Sequence, residues 1–143
     1  MALTIPFIDR FADPNNNVLA DAYFRIGRQN VELPEKLQMF DPVNKIAQLE
    51  CIVWKNIAAR DGNNPASPLK VITVHIADNN LDYEFNQMSD TDCIVMLNWS
   101  NVFGNFSPNN FNDIMNEAIA HLYTYLKTLD DFAGIDLTQA VDV

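Results

Sequence analysis

Glycine is scarce in this chain, with only Gly27, Gly62, Gly104 and Gly134 among 143 residues. No glycine-rich phosphate loop of the dinucleotide or Walker type can be drawn from them. Histidine is scarcer still. His75 and His121 are the only two, and neither has a second His, Cys or carboxylate at zinc-ligand spacing. Cys51 and Cys93 are the only cysteines, each inside an apolar run, so they read as buried thiols and not as a disulfide framework. Basic residues number 9 against 19 acidic ones, for a formal net charge of −10, and no Lys or Arg follows Lys127. A surface of that sign repels phosphate backbones, so nucleic acid is not an expected partner. No apolar run approaches the ~18 residues needed to cross a bilayer, so no membrane partner is expected either. The first ten residues lack a basic start, a long apolar stretch and a small-residue cleavage site, and no signal peptide is expected.

What is present is apolar and aromatic: 48% hydrophobic and 10% aromatic residues, enough for a real core in one domain spanning 1–143. The centre of the chain is Gln48 to Ile76. Its two arms, Gln48–Asn56 and Lys70–Ile76, are rich in β-branched and aromatic residues and read as strands joined by the polar loop Ala58–Leu69. In the second arm Ile72, Val74 and Ile76 share one face, with Thr73 and His75 opposite. The first arm is apolar on both faces, with Leu49, Cys51 and Val53 on one and Ile52 and Trp54 on the other, which predicts the more central strand.

Upstream, Ala22 to Glu32 predicts another strand, and Glu35 to Lys45 a loop with at most one turn, because Pro42 disfavours helix before it. Downstream, Leu81, Tyr83 and Phe85 alternate along a fourth strand, expected to pair antiparallel with the one before it across a short turn. The run Cys93 to Leu97 reads as a buried strand or a short helix capped by Asp90 or Asp92. Ser107 to Leu129 predicts a long helix. Ser107 suits the N-cap and Pro108 the first helical position, while Phe111, Ile114, Met115, Ala118, Leu122, Tyr125, Leu126 and Leu129 form one stripe. The expected fold is α+β: an antiparallel sheet of about four to six strands with one long C-terminal helix packed on it.

Both ends are apolar and irregular. Residues 1–20 carry Leu3, Ile5, Phe7, Ile8 and Phe11, broken by Pro6 and the turn Asp13–Asn17; they either lie across their own sheet or form an arm that docks on a neighbouring subunit. Residues 131–143, with Phe132, Ile135, Leu137 and Val141, read as a last edge strand or a second arm.

Chemistry is thin. Asp90 with Asp92, and Asp130 with Asp131, are the paired carboxylates, and neither pair fits a calcium loop. The many asparagines punctuate turns and caps. Exposed Tyr23, Trp54 or Trp99 among Asn-rich loops could stack on a sugar. The expectation is a protein that is not an enzyme, with no catalytic, cofactor-binding or metal-binding residues.

In order, Ala22-Tyr-Phe-Arg-Ile, the Ala58-Ala-Arg-Asp loop with Pro68-Leu, Leu81-Asp-Tyr-Glu-Phe, and a helix carrying Tyr123-Thr-Tyr-Leu-Lys resemble small virion proteins of tailed bacteriophages and prophages, of the tail or baseplate kind. The resemblance runs from Ala22 to Leu129. It implies a non-enzymatic building block, made in the host cytoplasm and present in the virion in several symmetry-related copies, whose partners are those copies and other virion proteins. The apolar ends agree, and Leu3, Ile5, Phe7, Phe11, Phe132, Ile135, Leu137 and Val141 are the candidate interface residues. The alternatives are a carbohydrate- or receptor-binding module and an acidic regulatory or anti-defence protein.

Overall fold

The computed structural model describes residues 2–8, 18–27, 35–57, 68–79, 83–108 and 111–143. Among the described residues eight strands form one sheet: β1 (Leu3–Ile8), β2 (Val18–Ile26), β3 (Met39–Asp41), β4 (Ile46–Trp54), β5 (Lys70–Ala77), β6 (Tyr83–Gln87), β7 (Asp92–Asn98) and β8 (Val141–Asp142). The described helices are short: α1 (Trp99–Phe103), α2 (Ile114–Leu126) and two single 3-10 turns at Phe111–Asp113 and Leu137–Gln139. The strand order is β6-β7-β5-β4-β2-β1-β8, with β3 beside the first half of β4.

The α+β expectation is corrected on three counts. The chain is mostly sheet, the sheet is mixed, and the expected long C-terminal helix is a 13-residue segment. Ser107 and Pro108 precede the helix without capping it, and the chain enters through the 3-10 turn instead. The buried helical face is also rotated from the expected stripe. Ala118, Leu122 and Leu126 are in it, joined by Ile119 and Tyr123, while Ile114, Met115, Tyr125 and Leu129 are only half-buried.

The second correction concerns pairing. β6 does not lie against β5. It pairs antiparallel with β7, and β7 takes the place beside β5 in parallel. β7 reads Cys-Ile-Val-Met-Leu because it is flanked on both sides, and its alternate residues Cys93, Val95 and Leu97 are buried. The β4–β5 pairing matches the expected antiparallel pair, with Cys51 opposite Ile72 and Leu49 opposite Val74, and β4 is the central strand. The segment expected as a loop before Lys45 contributes β3, which turns into β4 through Asp41. That carboxylate accepts from the backbone N–H of Val43 and Asn44 at 3.0 and 3.1 Å.

The N-terminal segment lies in its own sheet. Leu3, Ile5 and Phe7 point into the core, and Pro6, which cannot donate to a ladder, sits at a register shift between Ile5 and Phe7. At the other end, β8 pairs with β1, Phe132 and Leu137 are fully buried, and Ile135 is nearly so. Phe132 meets Phe24 edge to face at 6.2 Å. The turn that carries it has mutual backbone bonds between Phe132 and Ile135, with Ala133 at φ 53° and Gly134 at φ 81°. Both central residues are left-handed, the geometry of a type I′ turn.

One face of the sheet and both helices enclose the main core, which includes Phe24, Leu49, Ile72, Val95, Leu122 and Phe132. A polar link ties α2 to β2. The register of β1 starts at Leu3 opposite Phe24, so β1 does not reach Ile26. The Tyr123 hydroxyl takes over: it accepts from Ile26 N at 2.8 Å and donates to Glu35 Oε1 at 2.8 Å. Glu35 in turn lies 3.6 Å from Arg25 Nε.

Tyr123→Phe is expected to cost about 1–3 kcal/mol in urea denaturation, because it strips the buried Ile26 N–H of its acceptor; Thr124→Ala, on the exposed side of α2, is expected to stay within about 0.5 kcal/mol of the parent. Ala133→Gly is expected to be neutral or stabilising by up to about 1 kcal/mol, the reverse of the usual Ala→Gly sign, because a left-handed residue gives up a Cβ clash. A clear loss of melting temperature would contradict that reading of the turn.

Candidate functional site

The second face of the sheet divides in two. At one end Ala2, Tyr23, Ile52, Trp54 and Val71 form a separate buried cluster, with Tyr23 and Trp54 rings 6.1 Å apart. At the other end the face is open. There the pairing aligns Met39, Gln48, His75, Met96 and Glu84 in one row across five strands, each residue opposite the next. Beside it run Ile46 with Ala77, and Ile94 with Asn86. Gln48, His75, Met96 and Ile94 are half-buried, while Met39 and Ile46 are exposed at 48% and 42%. Ile46, Gln48, His75, Asn86, Ile94 and Met96 line a shallow depression of about 400 Å³.

The strand period explains why this face exists. Even-numbered residues of β4 and odd-numbered residues of β5 point away from the core, and they include Gln48, Glu50, Thr73 and His75. The row and the residues beside it offer one imidazole, the Glu84 carboxylate, amides from Gln48 and Asn86, and two thioethers, with β4, β5 and β7 held by backbone pairing from both sides. Such a set can contact and orient a partner surface.

Two other depressions are smaller in chemical content. One, of about 370 Å³, is lined by Thr4, Asp21, Tyr23, Asn56, Ile57 and Val143. The other, of about 600 Å³, has Pro6 and Val18 on one wall and Asp130, Asp131 and Asp136 on the other. Two of these carboxylates shape turns: Asp131 accepts from Gly134 N at 3.0 Å and Asp136 from Thr138 N at 3.0 Å. Among the described residues, no group of three or more His, Cys, Asp or Glu side chains is placed to hold a metal ion.

Of the candidate interface residues, Leu3, Ile5, Phe7, Phe132, Ile135 and Leu137 lie in the chain's own core. Val141 is 65% exposed on β8, and Phe11 lies outside the described residues, as do Asn15–Asn17 and residues 58–67 of the predicted loop. Tyr23, Trp54 and Trp99 are buried, so none offers a ring face for a sugar. Trp99 instead packs with Phe40 and Phe103, and His121 stacks on Phe103 at 5.4 Å with its Nε2 2.5 Å from Val102 O. The open row itself was missed. The apolar residues Ile94 and Met96 on the second side of β7, read only as part of a continuous run, were its signal in the sequence.

Compared with family models, with curated proteins and with solved structures, the chain matches none.

Cys51 and Cys93 are free, on β4 and β7 with Ile72 of β5 between them. Two strand spacings of about 4.8 Å put them beyond the ~7 Å Cα separation a disulfide tolerates. Burial pushes the Cys51 thiol far above its ordinary value of 9.0 and Cys93 up to about 11. Burial likewise raises Tyr123 from 10.0. Since these groups stay protonated in the folded chain at a pH where the unfolded chain loses their protons, the unfolded state binds fewer protons and stability falls as pH rises. Unfolding free energy is therefore expected to hold up to pH near 9 and to decline above it, with Cys93→Ala flattening the part between about 9 and 11. Urea titrations followed by tryptophan fluorescence at stepped pH check this, and a profile that stays level through that window contradicts it.

Proposed function

We propose that this chain is a non-enzymatic structural component of a tailed-phage virion, of the tail or baseplate, that works through contacts with copies of itself and with other virion proteins. The observation that carries the reading is the open sheet face. Met39, Ile46, Ile94 and Met96 with Gln48, His75 and Asn86 give a mixed apolar and amide surface on rigid strands. Apolar surface rimmed by polar groups suits burial against another protein. The resemblance between Ala22 and Leu129 supports the same reading. The net charge of −10 suits a subunit that must stay soluble before it assembles. The contacts in this reading come from the open face and from Val141, because the core already holds Leu3, Ile5, Phe7, Phe132, Ile135 and Leu137.

Mass spectrometry of density-gradient-purified particles from the source culture tests it. The chain is expected at a stoichiometric level in the particle fraction, and recovery only as free protein overturns the proposal. Met96→Lys, on the half-buried open face, is expected to lower incorporation while leaving thermal unfolding within about 1 kcal/mol of the parent.

A further inference from the structure

The sheet ends at β6, and no described segment pairs with its outer edge. The backbone phase of that edge can be read from one bond. Met88 N donates to Asp92 O at 2.9 Å, in register with the strand pairs Gln87 opposite Cys93 and Asn86 opposite Ile94. In an antiparallel ladder, bonded pairs alternate with unbonded ones. Asn86 and Glu84 therefore bond inward to β7, and Tyr83, Phe85 and Gln87 turn their N–H and C=O groups outward. The strand carries neither Pro nor Lys, and its pairing with β7 runs without a bulge, so three of the devices that block edge pairing are missing from it; its five residues carry one charge, Glu84. The opposite edge is different. β8 is two residues long, and its Asp142 is held by Lys127 Nζ at 3.0 Å.

We infer that β6 pairs with β6 of a second copy of this chain, antiparallel about a two-fold axis at Phe85. In that register Phe85 meets Phe85 of the copy and Tyr83 meets Gln87. Three outward residues from each copy then make six N–H···O bonds in all. On the open face Glu84 lies opposite Asn86 of the copy, twice by symmetry, and no like charges oppose each other. The neighbouring registers that keep the bonding phase are worse. Centring on Glu84 sets two carboxylates face to face, and centring on Asn86 leaves fewer outward groups matched. The pairing also joins the two open faces into one continuous surface, since Glu84 and Asn86 belong to that face. This inference rests on the assembly reading for its setting and names the first contact within it.

Sedimentation equilibrium of the full purified chain, at about 0.15 M salt to screen the −10 of each copy, tests the pairing. A concentration-dependent monomer–dimer equilibrium is expected. Asn86 is exposed, so its variants are expected to keep the fold, with circular dichroism as the control. Asn86→Glu places a carboxylate opposite Glu84 of the copy at both symmetric positions and is expected to weaken the dimer by about 2- to 30-fold; Asn86→Lys is expected to tighten it by a similar factor. A lysine on an edge strand ordinarily discourages pairing, so the opposite signs report this register. A parent chain that stays monomeric up to about 1 mM, or two variants that shift the equilibrium in the same direction, overturns the inference. Monomeric behaviour of the purified chain leaves the virion reading standing, and absence from particles leaves a dimer standing, so the two fail separately.

Discussion

The pairing of β4 with β5 is the constraint on which the rest of this molecule depends. Eight residue pairs, from Ile46 opposite Ala77 to Val53 opposite Lys70, fix the register. A slip of one residue would turn Leu49, Cys51 and Val53 out of the core and put Gln48 and Glu50 in their place. Because that slip is so unfavourable, the two faces of the sheet have distinct identities. β4 is also long enough to serve two neighbours on its other flank, with β3 along Ile46–Gln48 and β2 along Cys51–Trp54. The gap between those neighbours brings Gly27 and Glu35 close together, and there the hydroxyl of Tyr123 closes the sheet's polar accounts.

The two faces then serve different ends. The covered face holds the aromatic nest of Phe40, Trp99, Phe103, Phe106 and His121, which seats both helices. The other face is dry near Trp54 and open near His75. A side chain in the open row is held by its neighbours on adjacent strands and needs no helix above it, so that row can face a partner without loss of the core beneath. The same backbone that makes the row rigid also brings it to the edge at β6. A contact at that edge and a contact on the face would therefore reinforce each other.

Much of the sheet could be read from the residues, because period-two alternation is local. Ile72, Val74 and Ile76 declared their face, and the two-sided apolar pattern of β4 declared its central place. What could not be read was non-local. Whether Leu81–Asn86 pairs with the strand before it or the strand after it depends on which neighbour best covers the apolar run at Cys93–Leu97. A five-residue strand carries too little pattern to decide. The stripe on α2 was misjudged because Ile119 and Tyr123, both at the buried face, were outside the heptad-like set chosen. Tyr123 looks like a surface residue by type, yet it is buried through the polar bonds its hydroxyl makes. The ends misled for a related reason. Three-residue alternations such as Leu3, Ile5 and Phe7 are too short to separate a strand from an arm, and Pro6, which breaks the segment, does not choose between the two. The open row is the least legible feature, since it is an alignment of five strands and not a motif in any one of them.

The closing contact of the sheet has a kinetic consequence. Leu3 of β1 pairs with Asp142 of β8, so this contact joins nearly opposite ends of the sequence. Loop closure over that distance is costly before any ladder bond repays it, and folds rich in such contacts form slowly. The β4–β5 and β6–β7 pairs can assemble first from nearby residues, while β1 keeps a bare flank until β8 arrives. During that interval the flank of β1 is bare as well as that of β6, and the arrival of residues 141 and 142 is the step that withdraws β1 from misassociation.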